Sequence, residues 1–190
     1  EEHLDPRGAE LDLEPEAPVS WAGRSALVLG TGGAARSAVV ALAVDLQCST
    51  VHVRGRSLSD PAAARSKRDE LEALVRRAGR STTIVAGPLE GSPEVEPELS
   101  AVVQCTSAGM SGADPGESLL SAIDFNSLGP RAVALDVVYA PPLTPFLRAA
   151  EAMGLRSANG LGMLVRQGAL AFELWLRVPA PFNSMLAAIT

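Results

Sequence analysis

Leu27-Val28-Leu29-Gly30-Thr31-Gly32-Gly33-Ala34-Ala35-Arg36 is the stretch that decides the fold. Ser25–Gly30 is a short apolar run closed by glycine, the pattern of a strand buried on both faces of a parallel sheet. From Ala34 to Leu46, apolar residues recur at helical spacing (Ala35, Val39, Leu42, Leu46). Between strand and helix, Gly30, Gly32 and Ala35 fit G-x-G-x-x-A. Gly30 permits the tight turn, Gly32 lets a pyrophosphate approach the backbone, and Ala35 lets helix and strand pack closely. The N–H groups at the helix start face such an anion, and the helix dipole favours it. Gly30, Thr31, Gly32, Gly33, Ala34 and Ala35 are therefore the candidate pyrophosphate residues of a dinucleotide site.

Outward from this turn, strands and helices alternate. Thr50–Val53, Thr83–Ala86, Ala101–Cys105, Arg131–Val137 and Leu155–Ala158 read as further strands. Asp60-Pro61 reads as an N-cap followed by proline at the first helical position, opening a helix to about Ala78. Two more helices are predicted near Pro145–Met153 and Gly162–Leu176. The alternation predicts an α/β fold: a Rossmann-like, doubly wound parallel sheet with helices on both faces and right-handed crossovers. The pattern does not give the strand order. Residues 1–18 are acidic and aperiodic, as a flexible tail or linker would be, and 19–190 form the expected domain. Gly87–Glu98 reads as a surface connection rich in Pro and Glu.

The second strand selects the dinucleotide. An NAD site places a carboxylate near its end, about 20 residues past the glycine turn, to accept from the ribose hydroxyls. Here the chain reads Val53-Arg54-Gly55-Arg56-Ser57, with no acid. Guanidinium groups bind a 2′-phosphate through charge-assisted contacts, so Arg54, Arg56 and Ser57 point to NADP. Asp60 lies close by, but a capping role would direct it to the helix start.

Three later segments complete a pattern: Gln104-Cys105-Thr106-Ser107-Ala108-Gly109-Met110, Asp136-Val137-Val138-Tyr139-Ala140-Pro141-Pro142-Leu143-Thr144-Pro145, and Asn159-Gly160-Leu161-Gly162-Met163-Leu164-Val165-Arg166-Gln167-Gly168-Ala169. In this order with the glycine turn, they resemble the C-terminal domain of shikimate dehydrogenase over roughly residues 20–178. The resemblance implies that Arg56 and Ser57 stand at the last two positions of an Asn-Arg-Thr motif holding the 2′-phosphate, with Gly55 replacing the Asn. It places Thr106, Ser107, Gly109, Met110 and Val138 along the cofactor's ribose and nicotinamide, with Gly160 and Met163 bordering the nicotinamide. Tyr139 and Gln167 become substrate contacts. It implies a small-molecule substrate, shikimate or 3-dehydroshikimate, in the chorismate route to the aromatic amino acids.

The residues alone support blander readings beside these. Asp136 ends an apolar strand, where a carboxylate needs partners and would find them in the N–H groups of the next turn. Tyr139, the only tyrosine, either donates to a ligand or covers the core edge. Met110 and Met163 read as core filler. Gln167, with Leu164, Ala171 and Phe172 near it, reads as an amide in need of a partner, either substrate or backbone.

Ketone reduction also needs a proton donor. In the family, a Lys and an Asp of an N-terminal substrate domain supply it, and a Ser-x-Ser motif there grips the carboxylate. Here Lys67 is the only lysine, in a surface helix. His3 falls in the tail, and His52 sits mid-strand in a structural position. No catalytic residue is assigned to this chain, and the expected oxidoreductase would need that domain upstream. Two alternatives remain: a quinate/shikimate dehydrogenase using NAD, and a non-catalytic sensor or repressor domain derived from this fold. The last helix carries Leu164, Ala171, Phe172 and Trp175 near one face, which would seat on the substrate domain or, without it, allow homo-oligomers.

Composition excludes other classes. The net charge of −6 offers no broad basic surface for nucleic acid. The longest apolar runs, such as Ala38–Val44, are too short for a membrane span. The start Glu1-Glu2-His3 lacks a signal pattern. Cys48 and Cys105 have no metal or disulfide spacing and read as reduced thiols. A cytoplasmic protein with no bound metal is expected.

Overall fold

The computed structural model describes residues 20–90, 99–125 and 128–189. The expected 1–18 tail and most of the Gly87–Glu98 connection lie outside the described residues.

Six strands form one parallel sheet: β1 (Ser25–Leu29), β2 (Thr50–Arg54), β3 (Thr83–Gly87), β4 (Leu99–Gln104), β5 (Leu128–Asp136) and β6 (Arg156–Ala158). Their order is β3-β2-β1-β4-β5-β6, every pair parallel. This is the doubly wound order, with the chain changing direction of travel across the sheet beside β1. β1 has both neighbours and is buried along its full length, which explains its unbroken apolar run.

Alternate residues of the strands feed two cores. Ala26, Val28, Val51, Val53, Ala101 and Val103 meet helices α1 (Gly33–Val40) and α2 (Pro61–Arg77) on one face, through Ala35, Val39, Leu71 and Val75. Leu27, Leu29, Val102 and Ala134 face the other way, against α3 (Glu117–Leu120) and α4 (Pro145–Ala152), through Leu119, Phe146, Leu147 and Ala150. Helices α5 (Leu161–Leu176) and α6 (Phe182–Ala187) close the chain.

The helix expected over Ala34–Leu46 starts at Gly33 and changes at Ala41–Asp45 to a π-helical turn. There the Leu46 N–H donates to the Ala41 carbonyl at 2.9 Å. The wider turn carries Leu42 and its neighbour Ala43 into the core together. Asp60 caps α2, its two carboxylate oxygens accepting from the Ala62 and Ala63 N–H groups at 3.2 Å each. The four-residue α3 and the short α6 are too brief to show a period in the sequence.

Candidate functional site

A cleft of about 350 Å³ opens at the carboxyl ends of β1 and β4, where an open α/β sheet places its ligands. One wall is the glycine turn, with Gly30, Thr31 and Gly32. Gly30 has φ +118, and a Cβ there would lie 3.0 Å from the Cys105 carbonyl oxygen, so only glycine fits. Gly32 is the N-cap of α1, and no side chain caps the first turn of the helix. A Cβ on Gly32 would meet no atom within 4 Å. Beside the uncapped N–H groups there is thus free space, as a phosphate group requires. Gly33 and Ala34 lie in the first turn of α1, and Ala35 is buried against the sheet.

The second wall comes from the turn after β2, where Arg56–Leu58 form a single 3-10 turn. Arg56 and Ser57 line the cleft. Arg54 is placed differently: it ends β2, and its guanidinium lies over Gly87 at the end of β3. Its Nε is buried without a hydrogen bond, and burial pulls its pKa down from the usual arginine value. Of the two arginines in the motif, Arg56 is the one the cleft exposes. Asp114, in the β4–α3 connection, is a residue that sequence reasoning missed. Its Oδ2 lies 3.7 Å from Arg56 Nη1, while Oδ1 accepts from the Gly116 N–H at 2.8 Å. No local signal could have found it, because only the fold brings position 114 to position 56.

The floor follows β4. Gln104 is fully buried, and its side-chain amide donates to the Ala108 carbonyl at 3.0 Å and accepts from the Thr106 N–H. The Thr106 hydroxyl in turn accepts from the Ala108 N–H at 3.1 Å. These bonds bend the chain sharply and hold Thr106 and Ser107 at the cleft. Gly109 (φ +84) continues the bend, its N–H donating to the Asp114 carbonyl at 2.7 Å. Met110 is exposed and is not core filler. Cys105 is buried beside the cleft. Burial first, and then the Asp136 charge, push its thiol up to about 12.

Asp136 is buried, as its strand-end position implies, and takes the structural role. One oxygen accepts from the Val138 N–H at 2.9 Å and the other from the Thr144 hydroxyl at 2.6 Å. Burial raises its pKa, and the two hydrogen bonds oppose the rise. Thr144 also caps α4, accepting from the Leu147 N–H at 3.3 Å. Val138 is buried, and its carbonyl accepts from the Gly160 N–H at 3.1 Å. Any Cβ on Gly160 would run into the Val137 carbonyl. The strand end of β5 and the start of α5 therefore meet backbone to backbone.

Tyr139, on the loop after β5, and Met163, on α5, are both exposed. Gln167 is exposed four residues beyond Met163, one helical turn along the same face. Its amide is open to solvent, so the expected need for a buried partner does not arise. The remaining exposed surface of α5 is strongly apolar: Leu170, Leu174 and Trp175 are 66%, 61% and 77% exposed. Helix α6 covers another side of α5, where Gly168 lies against Met185 and the Arg166 guanidinium sits 5.1 Å from the Phe182 ring centre.

His52 is buried in β2, and Lys67 pairs with Glu70 at 2.6 Å on α2, away from the cleft. Among the described residues no three His, Cys, Asp or Glu side chains could hold a metal, and no helix is long and apolar enough to cross a membrane.

The model of the shikimate 5'-dehydrogenase C-terminal domain matches residues 160–190, which include Gly160, Met163 and Gln167. A shikimate dehydrogenase (NADP(+)) of Geobacter sulfurreducens is 38% identical over 190 residues, covering 98% of this chain and 62% of the relative. Over nearly its whole length the chain is similar to shikimate dehydrogenases. It corresponds to the C-terminal part, and it spans about three fifths of the length of the curated relatives it matches.

Two solved structures bear on this likeness. Shikimate 5-dehydrogenase from Thermus thermophilus, in complex with NADP(H) and shikimate, aligns with a TM-score of 0.63 and 33% identity, over 90% of this chain and 55% of its own. Quinate dehydrogenase from Corynebacterium glutamicum, in complex with NAD, aligns with a TM-score of 0.69 and 26% identity, over 87% and 54%.

Proposed function

We propose that this domain is the NADP-binding half of an enzyme that reversibly reduces 3-dehydroshikimate to shikimate in the chorismate route. The observation that carries the reading is the pairing of an uncapped, glycine-lined helix start with Arg56 and Ser57 across one cleft, with no carboxylate contributed by β2. Asp60, the nearest acid after β2, is engaged at the start of α2.

The residues present fit the cofactor. The first turn of α1 and the space beside Gly32 would hold the pyrophosphate, and Arg56 with Ser57 the 2′-phosphate. Thr106, Ser107, Gly109, Met110, Val138, Gly160 and Met163 would border the ribose and nicotinamide, where the bound cofactor supplies a hydride. Gln104 and Asp136 keep that border in shape through the backbone bonds described above. Tyr139 and Gln167 present a hydroxyl and an amide on the exposed side, as contacts to a polyhydroxylated carboxylate substrate.

Among the described residues no acid–base pair stands beside them. The proton and the grip on the substrate carboxylate come from an upstream substrate domain, and the apolar face of α5 is the surface on which that domain seats. Two buried, unbridged cysteines suit a cytoplasmic enzyme. A second reading, use of NAD, is favoured by one observation: Asp114 lines the cleft beside Arg56, a carboxylate that would accept from ribose hydroxyls there.

Calorimetric titration with NADP and with NAD tests the proposal. Tighter binding of NADP supports it. Equal or tighter binding of NAD supports the second reading, and no binding of either defeats both.

A further inference from the structure

Gly55 is buried, and its φ of −166° with ψ 150° is extended backbone open to any residue. Conformation therefore gives no reason for a glycine, and packing does. A Cβ on Gly55 would lie 2.6 Å from the Thr31 Cγ2 methyl. The backbone cannot move away cheaply: the Gly55 N–H donates to the Gly87 carbonyl at 3.2 Å, and its carbonyl accepts from the Leu58 N–H at 3.0 Å. The facing turn is tied down as well, with the Gly30 N–H donating to the Arg54 carbonyl at 2.7 Å. Only rotation of the Thr31 side chain could relieve the clash, and that would break the 3.1 Å hydrogen bond between the Thr31 and Ser57 hydroxyls.

We propose that Thr31 is a positioning residue joining the glycine turn to the phosphate-reading loop. Its methyl fills the place of a side chain at position 55, and its hydroxyl orients that of Ser57. A serine hydroxyl has one proton. When Ser57 donates that proton to a phosphate oxygen, it accepts from Thr31, so the pair has a single orientation and each bond polarises the next. A ligand without the 2′-phosphate does not draw on this relay, so Thr31 acts on the choice of dinucleotide.

The inference rests on the NADP reading, and the test separates the two. The chain and its Thr31→Val and Thr31→Ser variants are titrated with NADP, NAD and 2′,5′-ADP. Thr31→Val keeps the shape and loses the hydroxyl. It should weaken NADP and 2′,5′-ADP by roughly three- to tenfold more than NAD, the scale of one hydrogen bond. Thr31→Ser should retain NADP binding. Thermal unfolding gives a readout without cofactor: Gly55→Ala should lower Tm in the wild-type background and be tolerated beside Thr31→Ser. A wild-type chain that binds neither nucleotide overturns the cofactor reading and the selectivity role together. Wild-type NADP binding that Thr31→Val leaves intact, or weakens equally with NAD, overturns the inference alone. Additive Tm shifts of Gly55→Ala and Thr31→Ser overturn its packing half.

Discussion

Arg56 Nη1 and Asp114 Oδ2 face each other at 3.7 Å, one from the turn after β2 and the other from the β4–α3 connection. The pair is solvent-exposed, and such pairs contribute little to stability. Its weight falls on binding, because the carboxylate occupies the guanidinium that a 2′-phosphate would use and repels that phosphate. The two partners should therefore act in opposite directions. Arg56→Ala should weaken NADP by about 1.5–3 kcal/mol, the scale of a charge-assisted hydrogen bond, and leave NAD nearly unchanged. Asp114→Asn keeps an oxygen for the Gly116 N–H and removes the charge. It should tighten NADP by up to roughly fivefold, the limit set by an exposed pair. Calorimetry on both variants checks this, and an Asp114→Asn change that weakens NAD instead would mark Asp114 as a ribose ligand.

Gly30 and Gly32 separate fold from binding two residues apart. Gly30 carries φ +118 with the Cys105 carbonyl at its back. Gly30→Ala should cost more than about 1 kcal/mol of stability, through strain and contact together. At Gly32 the backbone is ordinary (φ −82) and the space is open. Gly32→Val should stay within about 0.5 kcal/mol of wild type in urea unfolding, yet lose NADP and NAD alike. Retained binding in that variant would remove the pyrophosphate from the glycine turn.

The elements that can be read from the sequence are those whose cause is local. The glycine turn, the Asp60-Pro61 start of α2 and the apolar strand runs each carry their reason within a few residues, and all stand where expected. Asp136 was legible too, because a carboxylate at an apolar strand end must find the nearest N–H groups. What stayed hidden depends on contacts between distant segments. Thr31 meets Gly55, and Arg56 meets Asp114, only once β1, β2 and β4 lie side by side. Arg54 and Arg56 look equivalent in the motif, but strand register sends one onto Gly87 and the other into the cleft. Met110 and Met163 read as core filler from their neighbours alone and as cofactor contacts from the resemblance; both lie on open surface, as does Gln167 on α5.

The Asp136–Thr144 bond ties the end of β5 to the start of α4. Asp136→Asn can keep one acceptor but presents an N–H₂ to one of two donors, so it should cost about 1–3 kcal/mol. Its pH dependence has a definite sign. Burial holds the folded pKa of Asp136 above its unfolded value, so the stability this group contributes is full below the unfolded pKa and is lost as pH rises through the folded one. The stability gap between wild type and Asp136→Asn should therefore widen from neutral pH toward pH 4. A gap constant with pH in urea titrations would show that Asp136 titrates alike in both states.

Cys105 gives the alkaline counterpart. Its thiol, buried beside the Asp136 charge, is held at about 12 in the folded chain, against about 8.5 for a solvated cysteine. The folded pKa again lies above the unfolded one, so the contribution is complete below about pH 8.5 and declines as pH climbs toward the folded value. The loss approaches roughly 1.4 kcal/mol per pH unit for one group. Burial raises the Cys48 thiol as well, so Cys105→Ala should remove only part of the alkaline slope in urea unfolding between pH 7 and 10. The same burial should leave Cys105 inert to thiol-alkylating reagents at pH 8 until the chain is unfolded. Prompt native-state alkylation at Cys105, located by peptide mapping, would show that the β4 end opens far more readily than its Gln104 and Asp136 hydrogen bonds require.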